Sequence, residues 1–350
     1  MCLLTLVAVC SSANAQDEKL VLDETRRTQV IEQTLKLLRE RYVFPEVGQS
    51  MSDLVSGKLS DGAYDSITNP RALANTLTAD LVGVSNDLHL RVNFNPQISM
   101  FEDEQPPEDQ AQARARAAHV NYGFERIERL ACNVGYIDLR NFHSAEFGGP
   151  TAIAAMNFVA NSKAIIFDLR QNGGGDPDMV QLISSYLFGD KPVHLNSLYW
   201  REGETTEEYW TDPKVPGVRS PDTPVYVLTS SRTFSAAEEF SYNLQCLGRA
   251  TLVGETTGGG AHPGGSVPID DQFSVWIPMG RAINPITETN WEGVGVEPEV
   301  DVPARVALEM AHMLAIEGLL GTESDADVLE ELENELILVR ERIDKLASGR

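Results

Sequence analysis

Residues 225–240 read Val225-Tyr-Val-Leu-Thr229-Ser-Ser-Arg-Thr-Phe-Ser235-Ala-Ala-Glu238-Glu-Phe240, and Gly254-Glu-Thr-Thr-Gly258-Gly-Gly260 follows shortly after. The first run is a short apolar strand pattern, then a polar loop, then Ser235 at the start of a helix. Ser235-Ala-Ala-Glu238 is a capping box, in which a hydroxyl and a carboxylate satisfy backbone donors at the helix start. A helix start also presents N–H groups that the helix cannot use, and these favour negative charge on a nearby oxygen. A serine in that place suits acyl transfer, where an attacked carbonyl becomes an oxyanion.

Outward from this unit, strands and helices alternate. The pattern predicts strands over Val134 to Leu139, Ala164 to Leu169, Val225 to Thr229, Thr251 to Gly254 and Phe273 to Ile277. Helices are predicted over Thr151 to Ala160, Asp176 to Phe188 and Ser235 to Leu247. Such alternation specifies an α/β core with helices packed on a sheet. The chain before it is helical: Thr25 to Tyr42, Val47 to Leu59, and a third helix from Asn69-Pro70, with cap residue and proline in the preferred order. These helices make a bundle over residues 16–86, ahead of a core over 87–305. Asp87 to Phe94 alternates like a strand and carries His89, and residues 101–118 read as a polar connector, helical after Gln110. The last segment, 306–350, is helical, and Leu329, Leu332, Leu336, Val339, Ile343 and Leu346 form a coiled-coil-like seam. The seam leaves open packing on the chain's own body or a homodimer through this helix.

The chain has 350 residues and is 42% hydrophobic, enough for one large domain or two modest ones. A formal charge of −24 argues against nucleic acid and anionic membrane surfaces as partners. Leu3 to Val9 is an apolar run and Ala13-Asn-Ala15 fits a cleavage site, so residues 1–15 read as an export signal lacking basic residues at its start. The expected product is periplasmic or extracellular, with no transmembrane segment in the mature chain. It would keep Cys132 and Cys246, either as a disulfide or as two separate thiols.

Serine acyl transfer needs a base for the hydroxyl proton and donors for the oxyanion. No lysine lies between Ser235 and Lys345, which excludes a Ser–Lys dyad built from the segment after the nucleophile. Histidine remains. His89 precedes the core, and His262, in a Gly- and Pro-rich loop after the nucleophile, is the rival base; His119, His143, His194 and His312 have no supporting motif. Asp168-Leu-Arg-Gln-Asn172-Gly-Gly-Gly175 follows an apolar strand and precedes a helix. Its glycines let the backbone bend and present N–H groups, as an oxyanion hole shared with the Ala236 N–H requires. Asn290-Trp-Glu292-Gly-Val-Gly295-Val-Glu-Pro298 supplies acids in a loop. Neither a metal-binding spacing nor a nucleotide-binding glycine pattern occurs, so no metal and no cofactor are expected.

Together, the helical bundle, the His89 segment, Asp-Leu-Arg-x-Asn-Gly-Gly-Gly, Ser-Ala-Ala-Glu, Gly-Glu-Thr-Thr-Gly-Gly-Gly and Gly-Val-Glu-Pro resemble the S41 serine peptidases across about residues 20–305. That family includes C-terminal processing and tricorn-type peptidases and the modules of interphotoreceptor retinoid-binding protein, whose bacterial branch looks nearest. The resemblance implies a ClpP/crotonase-like core of ββα units. It implies Ser235 as nucleophile, His89 as base, Glu292 as the supporting acid, and Gly174 with Gly173 and Ala236 as the oxyanion hole. Tricorn-type enzymes carry a serine before the base, where this chain has Leu88. There is no room for the PDZ domain of the processing enzymes. The implied activity is hydrolysis of flexible or unfolded polypeptide by an exported serine endopeptidase. The alternative is a catalytically silent module that holds a hydrophobic ligand or peptide.

Overall fold

The computed structural model describes residues 21–96 and 107–348, which form two compact units. The first contains residues up to 96 together with Trp200–Thr205 and His262–Arg281; the second contains the described residues from 107 on, apart from those two insertions. The export signal expected over residues 1–15 lies outside the described residues. Among those, no helix is long and apolar enough to cross a membrane.

The first unit opens with helices α1 (Glu24–Arg41), α2 (Pro45–Ser60) and α3 (Pro70–Ser85). Each start is chemically marked. Asp23 accepts from the Arg26 N–H at 2.8 Å, Asn69 accepts from the Ala72 N–H at 3.0 Å, and proline stands in the first turn of α2 and α3. Val30, Ile31, Leu35 and Leu38 of α1 are buried, as are Met51 and Val55 of α2 and Leu73, Leu77 and Leu81 of α3. Asn86 ends α3 in the left-handed conformation.

The strand expected from Asp87 begins only at Arg91. β1 (Arg91–Phe94) is preceded by a turn that contains His89, because the Asp87 carboxylate captures the His89 N–H at 3.1 Å and its carbonyl the Leu90 N–H at 3.3 Å. Alternation in the sequence could not see this local competition with the strand. The expected connector, where described, is helix α4 (Pro107–His119), in the second unit.

The second unit is built on a six-stranded sheet. β2 (Phe124–Leu130) runs antiparallel to β3 (Val134–Leu139), and helix α5 (Ala145–Val159) then leads to β4 (Ala164–Asp168) and helix α6 (Pro177–Ser185). β5 (His194–Trp200) and β6 (Thr205–Trp210) follow, then β7 (Val225–Thr229), helix α7 (Ala236–Cys246) and β8 (Thr251–Gly254). In the first unit, β9 (Gly264–Pro268) and β10 (Phe273–Pro278) pair with β1 in the order β1-β10-β9, all antiparallel. The chain ends with β11 (Gly280–Ile283), β12 (Val300–Asp301) and helices α8 (Ala307–Leu320) and α9 (Ala326–Ala347).

The large sheet has the order β12-β8-β7-β4-β3-β2, parallel throughout except for β2. β3 and β4 are buried at every position, as expected of parallel strands covered on both faces. One face presents Val134, Tyr136, Ile166, Leu228 and Val253 to Ala307, Ala311 and Ala315 of α8, whose small side chains let the helix come close. On α7, Phe240 meets Phe167 with ring centroids 5.2 Å apart and Phe142 at 5.7 Å. The fold is the expected ββα type, flanked by N-terminal and C-terminal helices. The expected seam of α9 packs on α8 of the same chain: Leu332 and Val339 are buried beside Ile316 and Cys132, and Leu336 and Ile343 are half-buried there. Cys132 and Cys246 are both free thiols.

Candidate active site

In the second unit, the loops after β4, β7 and β8 leave the same, C-terminal end of parallel strands, where open α/β sheets place their chemistry. The loop after β7 is pinned to the loop after β4. The Thr233 hydroxyl donates to the Leu169 carbonyl at 2.8 Å, the Ser230 hydroxyl to the Arg170 carbonyl at 2.6 Å, and the Phe234 N–H to the Asn172 carbonyl at 3.1 Å. The Arg170 guanidinium is itself fixed by two bonds to Asp168, at 2.8 and 2.5 Å. Burial pushes the Asp168 carboxyl up, but the Arg170 guanidinium and the Tyr136 hydroxyl bring it below its ordinary value.

These ties force Ser235 into an uncommon backbone conformation, φ 56° and ψ −124°, at the start of α7. For a residue with a side chain this costs on the order of 1–3 kcal/mol. Gly174 faces that corner with φ 108°. A Cβ there would lie 2.7 Å from Ser235 Cβ and 3.0 Å from the Ala236 nitrogen, so only glycine fits. Its own N–H donates to Asn172 Oδ1 at 2.9 Å, while Asn172, fully buried, donates from Nδ2 to the Leu139 carbonyl at 3.0 Å. Among the described residues, no acceptor lies on the N–H of Gly173 or of Ala236. Of the three expected oxyanion donors, those two carry N–H groups without an acceptor among the described residues, and Gly174 closes the corner beside Ala236.

Glu238, three residues into the helix, organises this half-site. Its fully buried carboxylate accepts from the Ser235 N–H at 2.8 Å, the Thr257 hydroxyl at 2.5 Å, the Gly259 N–H at 2.6 Å and the Gly260 N–H at 2.8 Å. The glycine run after β8 is thus fastened to the serine corner by one side chain. Burial raises the Glu238 carboxyl above its ordinary value, and the four donors oppose that rise. The sequence showed the capping box but not the three distant donors. Glu292 holds the far end of the same run, accepting the Ala261 N–H at 2.5 Å, while the Trp291 indole donates to the Gly260 carbonyl at 2.8 Å.

In the first unit, His89 is half-buried in its turn. Burial is the main cause that pushes its imidazole down to about 4, with Asp87 raising it and His262 lowering it. The ring is therefore neutral at pH 7, the form a base needs. His262, the rival base, is buried, with Nδ1 2.8 Å from Asp87 Oδ2 and its ring edge-on to Phe44 at 5.4 Å. The Tyr42 hydroxyl donates to the same Asp87 oxygen at 3.1 Å. Asp87 did not emerge from the sequence as a site residue. The available signal was an acid two residues before a histidine, the spacing of an Asx turn.

The model for peptidase family S41 matches residues 133–302, and that for the "N-terminal domain of Peptidase_S41 in eukaryotic IRBP" matches residues 16–130. The chain belongs to peptidase family S41. Within the S41 family, the chain is 28% identical over 184 residues to the chloroplastic carboxyl-terminal-processing peptidase 1 of Arabidopsis thaliana, a match covering 51% of this chain and 36% of the plant protein. It thus spans little more than a third of that relative's length. Among solved structures, a photosystem II D1 C-terminal processing protease shares 16% identity with a TM-score of 0.50, covering 81% of this chain and 95% of its own. A lipoprotein from Streptococcus agalactiae shares 13% identity with a TM-score of 0.54, covering 83% and 96%. At these identities the two structures show a common fold.

Proposed function

We propose that this S41 protein is an exported serine endopeptidase that cleaves flexible or unfolded polypeptide. The observation that carries the reading is the Ser235 corner: a strained serine at a helix start, closed by a glycine that admits no side chain and that faces the Ala236 nitrogen. Attack by Ser235 on a peptide carbonyl forms a tetrahedral oxyanion, which the Ala236 N–H stabilises together with the Gly173 N–H of the expected hole. His89, neutral at pH 7, takes the hydroxyl proton and later gives it to the leaving amine, with Glu292 as the supporting acid of the family pattern. Water then releases the acyl group. Export rests on the leader-like residues 1–15.

Purified mature protein should hydrolyse casein and take up a fluorophosphonate probe at Ser235. Ser235→Ala should abolish labelling and lower kcat on the order of 10⁶-fold. A folded wild-type protein that neither cleaves nor labels would overturn the reading. The match to the retinoid-binding-protein N-terminal model favours a second one, a silent module for a hydrophobic ligand or peptide. Ligand binding equal in wild type and Ser235→Ala, without proteolysis, would support it.

A further inference from the structure

Asp87 is hydrogen-bonded to both histidines of the first unit. It is 1% exposed, and an isolated carboxylate so buried would be costly without donors. Three donors reach it from three separate segments. Oδ1 accepts the His89 N–H, closing the turn that presents that ring, and Oδ2 accepts both the Tyr42 hydroxyl, just after α1, and His262 Nδ1. A carboxylate oxygen only accepts, so His262 Nδ1 carries the proton of this bond. Asp87 thus does two things at once: it sets the backbone of one imidazole and the tautomer of the other. We propose that Asp87 is a positioning residue of the histidine half-site, holding His89 through one carboxylate oxygen and the His262 ring through the other.

The inference rests on the peptidase reading and deepens it. When His89 becomes an imidazolium in the reaction, the groups that face it within this unit are Asp87, whose charge favours the cation, and His262, whose protonation opposes it. Holding the His262 ring turned to Asp87 therefore keeps acid and both rings in one arrangement. Asparagine at position 87 keeps the Oδ1 acceptor for the His89 turn. It removes the charge and places an amide where His262 and Tyr42 both need an acceptor, so His262 must change tautomer or partner.

The test uses mature protein carrying ¹⁵N-labelled histidine, as wild type, Asp87→Asn, Asp87→Ala, His262→Ala and His262→Asn, with far-UV circular dichroism to verify folding. Ring-nitrogen spectra should show His262 protonated at Nδ1 in wild type and shifted away from that form in Asp87→Asn. On a peptide substrate, Asp87→Asn should lower kcat by about 10²-fold or more with KM little changed. His262→Asn, whose amide can replace Nδ1–H as donor, should recover activity lost in His262→Ala. An unchanged His262 tautomer, or unchanged kcat, in folded Asp87→Asn overturns the proposal. If wild type cleaves no peptide and takes no probe, the peptidase reading fails, and the ring-nitrogen spectra still decide whether Asp87 holds His262.

Discussion

Glu238 and Glu239 stand side by side at the start of α7 and illustrate two fates for a buried carboxylate. Glu238 has four donors, so its cost of burial is largely offset, and it joins the serine corner to the glycine run. Glu239 is 5% exposed beside Asn196, Asn243 and Asp176, and burial pushes it up to about 7. A carboxyl raised in the folded state binds its proton more tightly there than in the unfolded chain. Its stabilising contribution is therefore present below the ordinary glutamate range, near 4.5, and is lost as pH rises to about 7, on the order of 3 kcal/mol. Glu239→Gln avoids that loss. Thermal melts should place the variant above wild type at pH 8 and bring the two together near pH 4; parallel curves would show that Glu239 does not titrate in this window. The capping box made Glu238 visible in the sequence, whereas nothing local distinguished Glu239, since its burial depends on residues up to 63 positions away.

At the scale of elements, punctuation and periodicity gave most of the scaffold. Val134–Leu139, Val225–Thr229 and Thr251–Gly254 occur as expected, and the starts of α1 and α3 follow their cap residues. The turn at His89 was misread because alternation over eight residues outweighed one acid able to capture a backbone N–H. Strand β6 carries polar residues on exposed positions and β5 buries Asn196 and Ser197, so neither gave a clear period. The α9 seam was legible, but its partner was not: α8 supplies Ile316 and half-buried Met313, Leu319 and Leu320. Because Leu332 is 2% exposed in this contact, Leu332→Ala should cost about 2–5 kcal/mol. Urea unfolding would measure the loss. A midpoint that does not vary with protein concentration would show that the seam is filled within one chain, whereas a rising midpoint would indicate that the helix also joins two copies.

For the whole molecule, a net charge of −24 brings self-repulsion that favours expansion. Raising ionic strength from about 0.01 M to about 0.1 M shortens the screening length from about 30 Å to about 10 Å. The melting temperature should rise over that range in a neutral salt; a fall would mean that attractive pairs such as Arg26 with Asp270 outweigh the repulsion. The sequence by itself determined the α/β class, the helical lead-in and the S41 family. It could do so because caps, glycine turns and hydrophobic periods act over a few neighbouring residues. Only the tertiary structure decided that the glycine run hangs on Glu238, that Gly174 turns its N–H to Asn172, and that Asp87 is shared by two histidines. Those outcomes depend on donors and acceptors brought together from remote segments, and hydrogen-bond geometry of that kind leaves no period in a linear chain.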